Sequence, residues 1–335
     1  MIVSAEQVGG VLLRNWDALG GGTDRPSDFS FVLVTKGREA VGKLVLLAFP
    51  DHERSPRFAI KLARLPEQDA ALQAEYGNLR FLGSRASHGR VHAPKALLCE
   101  QVTGSLMLVE SVVDGTELSY VAGARAGLFV EPVVDWLIHL GLSTAGKRPP
   151  NGCSVEDVSA LLSRAGRHTG AEAERRTLER LSDELSGLDD RPLPRVFEQR
   201  DMGTWNLMVA ADGSIGVVDW ESSTADGFPL WDLFYFLAHH AFMVHRSGAR
   251  GDEVRTYTET FFGHDRFART CGTAIRRYAA ALGVGPALLP ALLAGCWLHH
   301  AVSEATRLGI PLSESLFWKM LVATLDRRDR QACWN

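Results

Sequence analysis

The hydrophobic period of this chain changes once along its length. Up to Gly115, apolar residues fall in short runs of strand length, at 29–35, 43–49, 57–63, 95–99 and 106–111, each bounded by turn residues. One helical stretch, 67–82, interrupts them. Beyond Gly115 the period becomes helical, as in 133–145 and 171–185, with a strand pair near 207–218 as the exception. A chain of 335 residues has room for roughly two domains of ~150 residues. The change of period says how they divide. The prediction is an α+β, bilobal molecule: a small antiparallel-sheet lobe with one helix over 1–110, a hinge at 111–116, and a larger, mainly helical lobe over 117–335.

Composition narrows the class. Hydrophobic residues make up 46% and charged residues 23%, enough for large cores and incompatible with global disorder. Lys and Arg number 36 against 40 Asp and Glu, so the counterion-release term that drives nucleic-acid binding has no source, and no nucleic-acid partner is expected. Cys99, Cys153, Cys271, Cys296 and Cys333 are scattered and odd in number, which reads as reduced thiols of a cytoplasmic protein. The N-terminal residues show no basic segment followed by an apolar run. The stretch 278–298 carries no charge and is long enough to cross a bilayer. However, Gly283, Gly285, Pro286, Pro290 and Gly295 interrupt it, so it reads as a loop and a buried helix, with no membrane partner. Monomer and homodimer both remain open.

The chemistry concentrates in FEQRDMGTWNLMVAADGSIGVVDWES, residues 197–222. Asp212-Gly213 between apolar runs signals a two-residue hairpin turn. In that register, facing residues have numbers summing to 425, which sets Asn206 opposite Asp219 on one face. An amide oxygen and a carboxylate side by side make a half-site for Mg2+, which keeps water and takes one or two protein oxygens. Asp201, on the loop feeding the hairpin, is close enough to act on what the metal presents. Taken singly, each of these acids reads as a capping or strand-end residue; the constellation is what carries the signal.

Asp201-x4-Asn206, an apolar hairpin and a second Asp resemble the catalytic loop and metal-binding Asp of protein-kinase-like enzymes. Asp219-Trp220-Glu221, followed by Pro229-Leu230-Trp231-Asp232-Leu233, looks like the aminoglycoside phosphotransferase and choline kinase branch. The resemblance implies that Asp201 is the catalytic base, that Asn206 and Asp219 hold magnesium, and that Asp232 supports the loop from below. It extends over about 30–325 in order and topology.

A kinase-like site also needs a strand lysine and a helix glutamate. In Arg57-Phe58-Ala59-Ile60-Lys61-Leu62, alternation puts Phe58, Ile60 and Leu62 on the core face and Ala59 with Lys61 on the other, where a small residue leaves room for a flat base. Leu72, Glu75, Leu79 and Leu82 share a helical stripe, and a carboxylate turned toward a core requires a partner. Lys61 is the natural one, although a solvent-facing lysine and a snorkelling glutamate are the plainer readings. By resemblance, the main chain of Glu110, Ser111 and Val112 contacts adenine.

Gly37-Arg38-Glu39-Ala40-Val41-Gly42-Lys43-Leu44 has Walker-loop spacing but lacks the hydroxyl after the lysine, and it runs into a strand where the phosphate site needs a helix N-terminus. Gly37 and Gly42 read instead as a turn over the nucleotide phosphates, or as a plain hairpin. The Walker alternative makes Lys43 the essential lysine for nucleotide binding; the kinase-like reading makes it Lys61. Gln199 stands where kinases carry histidine. Gly203 stands where protein kinases carry lysine, and only nine residues separate Asp219 from Pro229, too few for a protein-substrate platform.

The expected activity is therefore transfer of the ATP γ-phosphate, with Mg2+, to a hydroxyl of a small molecule such as an aminoglycoside-like antibiotic, a sugar or an amino alcohol, with GTP also open as donor. A catalytically silent nucleotide-binding scaffold is the alternative, on the strength of Gln199. Trp205, Glu221, Asp226, Trp297, His300, Glu304 and Trp318 are acceptor candidates. The paired histidines His239-His240 and His299-His300, with His245, read as helix residues and not as metal ligands.

Overall fold

Strand alternation builds the first of two units. The computed structural model describes residues 3–34, 43–85, 91–121, 128–146, 158–189, 193–245, 253–327 and 332–334. Gly37 and Gly42 lie outside them. The first unit comprises Met1–Ala86, His92–Gly115 and Gly216–Ser223, and the second the remainder.

In the first unit, β1 (Phe29–Leu33), β2 (Leu44–Pro50), β3 (Phe58–Leu62), β4 (Ala96–Val102) and β5 (Ser105–Ser111) form one antiparallel sheet in the order β1-β2-β3-β5-β4. Phe58, Ile60 and Leu62 point into a core with Trp16, Phe29, Met107 and Val109. That core is closed by α1 (Ala5–Arg14), a helix that sequence periodicity leaves unassigned. It is short, but Ser4 and Gln7 form a capping box at its start. After it, Trp16 donates its indole N–H to Gly22 O at 3.0 Å, folding the glycine segment around the ring. On the helix between β3 and β4, α2 (Asp69–Arg85), the buried residues are Leu72, Glu75, Leu79 and Leu82, the four of the predicted stripe.

The second unit is built largely from helices: α3 (Val130–Thr144), α4 (Val158–Gly166), α5 (Glu172–Asp189), α6 (Trp231–Val244), α7 (Glu253–Phe262), α8 (Arg266–Leu282), α9 (Leu289–Leu308) and α10 (Leu316–Leu325). Buried along most of its length, α9 packs against α5, α6 and α10. The uncharged stretch 278–298 breaks at Gly283, the C-cap of α8, and resumes as α9, as its glycines and prolines require. Among the described residues no single helix is long and apolar enough to cross a membrane. Short strands β6 (Thr116–Glu117), β7 (Val196–Glu198), β8 (Leu207–Val209) and β10 (Thr224–Gly227) pair as β10-β7 and β6-β8, and β9 (Ile215–Val217) follows β8 along the chain into the first unit at Gly216.

The turn between β8 and β9 differs from the sequence expectation. Gly213 N–H bonds Ala210 O at 2.9 Å and Ala210 N–H bonds Ser214 O at 3.0 Å, so the loop has three residues. Gly213 has φ of 84°, the left-handed conformation that follows a type I turn in a bulged hairpin. Asp212 Oδ1 accepts Ser214 N–H at 2.9 Å and stabilises it. Facing numbers at the turn therefore sum to 424, not 425. Asn206 and Asp219 both lie outside the short strands, so their placement does not follow from a ladder running past them.

Candidate active site

The loop after β7 is held by side chains behind it. Asp232, in the first turn of α6, accepts Gln199 N–H at 2.7 Å and Arg200 N–H at 2.8 Å. Gln199 is fully buried, and its Oε1 accepts Asp201 N–H at 2.8 Å. The glutamine thus performs loop-holding work that an amide can do as well as an imidazole. Arg200 sits at φ of 69° and Leu230 at φ of 74°, left-handed conformations that non-glycine residues adopt only where their surroundings hold them.

Asp201 is the focus of this loop. Asn206 Nδ2 donates to both its main-chain O and its Oδ2 at 2.9 Å, Trp205 Nε1 to Oδ2 at 3.3 Å, and the Tyr235 hydroxyl to Oδ1 at 3.2 Å. Three donors from two elements fix the carboxylate. With its nitrogen spent on Asp201, Asn206 has its Oδ1 to offer a cation. Gly203 is required by packing: a Cβ there would come within 2.3 Å of the Trp205 ring. Tyr235 was not legible as a site residue, but it lies three residues after Asp232, on the same face of α6. Burial, then Asp201, pushes its pKa well above the ordinary value, so it stays a hydroxyl and donates.

The acceptor candidates separate. Trp205 is 39% exposed beside Asp201. His300 packs on Tyr235 at 4.2 Å, as His239 does at 4.3 Å, and burial lowers the His239 pKa to about 4, leaving it neutral. Trp297 is a core residue, its indole N–H donated to the Tyr257 hydroxyl at 2.8 Å, and Trp318 is buried in α10. Glu304 accepts from Ser315 Oγ at 2.6 Å, tying α9 to the start of α10. Asp226 is buried in β10.

In the first unit, Lys61 of β3 bonds Glu75 of α2 and lies 3.4 Å from Glu110 Oε2 and 3.7 Å from Asp219 Oδ1. Glu75 has no exposed surface. Its Oε1 also accepts Trp220 N–H at 2.7 Å, which ties α2 to the segment carrying Asp219. Burial pulls the Lys61 pKa down, but Glu110, Glu75 and Asp219 outweigh it and hold it above the ordinary lysine value. Burial would raise Asp219; Lys61 and Lys43 prevail and lower it, so it is a carboxylate. Asp219 itself adopts φ of 64°. One oxygen each from Glu75, Asp219 and Glu221 lie within 4.8 Å of one another, a donor set of the hard oxygen type that suits a divalent cation.

Glu110 also enters through its side chain. Its carboxyl is buried against Lys61, with a pKa pushed up to about 7 by burial against the opposing pull of Lys61. Its backbone lies in the sheet opposite Ala59, and Ser111 N–H is committed to Lys95 O at 2.9 Å. Main chain beyond the ladder begins at Val112. The residue that sequence reasoning set aside is Lys43, whose ammonium bonds Asp219 and, at 2.8 Å, Glu221.

Asp232 gives the loop a pH signature. Burial raises its pKa from the ordinary 3.8 to about 6, against the two backbone N–H bonds it accepts and the pull of Arg200. A folded-state pKa above the unfolded one is a contribution fully present below the unfolded value and lost as pH rises through the folded value. Wild-type stability relative to Asp232→Asn is therefore expected to fall by roughly 2–3 kcal/mol between about pH 4 and pH 6.5 and to level off above that. Paired denaturant melts across that range check it; a constant difference would contradict it.

Residues 45–269, about two-thirds of the chain, match the family profile described as the phosphotransferase enzyme family. No curated protein matches in sequence. The aminoglycoside phosphotransferase APH(3'')-Id from Streptomyces rimosus, solved with ADP and streptomycin, is 16% identical with a TM-score of 0.51, over 97% of this chain and 99% of that one. A thermostable mutant of aminoglycoside phosphotransferase APH(4)-Ia, solved with AMP-PNP and hygromycin B, is 14% identical with a TM-score of 0.56, over 97% of each chain. A choline/ethanolamine kinase family protein from Mesorhizobium loti is 14% identical with a TM-score of 0.51, over 95% of this chain and 92% of that one. At these identities the likeness speaks for the fold. It is the expected protein-kinase-like α+β class, with an antiparallel-sheet N-terminal region and a mostly helical remainder.

Proposed function

The chain belongs to the phosphotransferase enzyme family, and on that premise we propose that it moves the γ-phosphate of ATP to a hydroxyl of a small molecule. The observation that carries this reading is Asp201, whose carboxylate is gripped by Asn206, Trp205 and Tyr235 on a loop pinned by Asp232. A general base must be aimed before it is useful, and three donors aim this one. Asp201 orients the acceptor hydroxyl and takes its proton as the oxygen attacks phosphorus. Lys61, steadied by Glu75, positions the α- and β-phosphates.

Asp219 and the Asn206 amide oxygen are the groups that would hold Mg2+, which when bound neutralises charge on the phosphates during transfer. The Asp219 carboxylate and the neighbouring oxygens of Glu75 and Glu221 fit a hard cation. The relatives solved with ADP and AMP-PNP support a nucleotide donor here. For the acceptor, the exposed Trp205 ring beside Asp201 offers a flat face to a sugar, an amino alcohol or an aminoglycoside. The silent-scaffold alternative rested on Gln199, and a buried glutamine that bonds Asp201 N–H takes that support away.

The test is acceptor-dependent ADP release by purified protein with Mg-ATP across a panel of these three classes. ADP release stimulated by at least one class is expected. Nucleotide binding with no stimulation by any of them would favour the scaffold.

A further inference from the structure

Lys43 immediately precedes β2, and it shares a sheet face with Lys61. The β2–β3 register pairs Val45 with Lys61, and Lys43 lies two residues from Val45, so its side chain emerges diagonally beside that of Lys61. The two ammonium groups meet the same carboxylates from that face. Lys43 Nζ bonds Asp219 Oδ1, lies 2.8 Å from Glu221 Oε2 and 3.7 Å from Glu75 Oε2. Those three residues are the ones whose oxygens are spaced to hold a cation. A lysine side chain only 14% exposed therefore stands with its charge among the acids of that group.

This arrangement differs from a surface ion pair. The ammonium lies against three acids at once, and the Lys61 ammonium bonds one of the same carboxylates, that of Glu75. The acids surround the lysine ammonium, and the lysine offsets their mutual repulsion. A divalent cation arriving alone meets carboxylates whose charge is already answered, in a space already filled by an ammonium. One arriving with a polyphosphate brings four or more phosphate oxygens of negative charge, which give the ammonium somewhere else to go.

We propose that Lys43 is the resident counter-cation of the Asp219–Glu221–Glu75 group, occupying it in the nucleotide-free protein and yielding it to a divalent cation only when nucleotide accompanies the metal. This rests on the functional reading above, in which Asp219 is a metal ligand. Lys43 is in this sense a positioning residue: it makes metal and nucleotide arrive together. It also explains how a lysine with Walker spacing can serve the site without being the lysine on which nucleotide binding depends.

The test is Mn2+ binding, followed by the electron paramagnetic resonance of the free ion, for wild type, Lys43→Met and Lys43→Arg, without nucleotide and with AMP-PNP. Without nucleotide, Lys43→Met is expected to bind Mn2+ about tenfold or more tightly than wild type, since a neighbouring positive charge is removed, while Lys43→Arg stays close to wild type because the charge is kept. With AMP-PNP the difference between Lys43→Met and wild type should largely close. Equal Mn2+ affinity of Lys43→Met and wild type without nucleotide, while both bind Mn2+–AMP-PNP, overturns the role of Lys43 and leaves the functional reading standing. Failure of all three proteins to bind Mn2+–AMP-PNP overturns the functional reading itself. Lys43→Gln replaces the methionine variant if that one does not melt cooperatively. The wild type also carries an arm of its own: Mn2+ binding as tight without nucleotide as with it would contradict the proposal.

Discussion

Asp201→Asn should lower turnover by roughly 10²–10⁴ while leaving ATP affinity nearly unchanged. The substitution keeps the shape of the side chain and an oxygen able to accept from Tyr235 or Asn206, so the loop has little reason to rearrange. What disappears is a carboxylate able to take a proton from the acceptor. An interaction used only as the hydroxyl attacks phosphorus is expressed in turnover and not in ground-state binding. Steady-state kinetics with a responsive acceptor, paired with calorimetric ATP titration, separates the two. A large fall in ATP affinity at normal turnover would assign Asp201 to nucleotide binding and remove it as the base.

Lys61→Met is the second large effect, and it has two parts. Glu75 and Glu110 are both buried, and the lysine between them is what allows their charge inside. Breaking a buried pair from one side strands the other charge, at a cost of roughly 3–5 kcal/mol. Lys43, 3.7 Å from Glu75, offsets part of that loss. Adding Glu75→Gln should recover most of the stability, because one stranded carboxylate is gone and Glu110, whose pKa burial already pushes up to about 7, takes a proton once Lys61 no longer opposes it. Nucleotide affinity should fall by roughly 10–100-fold in Lys61→Met and stay low in the double variant, since the charge-assisted bonds to phosphate are missing in both. Denaturant melts and ATP titration of the single and double variants provide the check. Recovery of both properties together would mean that Lys61 acts on nucleotide only through the fold.

The residues that could be read from sequence are those whose chemistry conflicts with their periodicity. Glu75 on an apolar stripe and Lys61 on a strand that alternates cleanly each demand a partner, and they find each other. Asp232 and Gln199 were legible in position, and the hydrogen bonds to Gln199, Arg200 and Asp201 N–H supply their roles. The register of the β8–β9 hairpin was not legible, because Asp-Gly suits both a two-residue turn and a three-residue loop ending in a left-handed glycine. A single residue of difference is enough to shift every facing pair.

Lys43 and Tyr235 escaped for a different reason. Each acts through contacts distant in sequence, Lys43 with Asp219 and Tyr235 with Asp201, that no local pattern encodes. Lys43 was further obscured by a spacing that suggested another phosphate site and failed its chemistry. Among the acceptor candidates, an aromatic or polar residue in the helical region carries no mark in sequence that distinguishes Trp205, half-open beside Asp201, from Trp297, sealed against Tyr257.

The most direct measurement follows the phosphoryl group itself. ATP carrying heavy oxygen at the γ-phosphate is incubated with the protein, Mg2+ and a metabolite extract, and products are resolved by mass spectrometry. The account predicts a small hydroxylated molecule that gains one phosphoryl group with its heavy oxygens, in the presence of wild type and not of Asp201→Asn. Label appearing only in inorganic phosphate, or the same labelled product with both proteins, would contradict it.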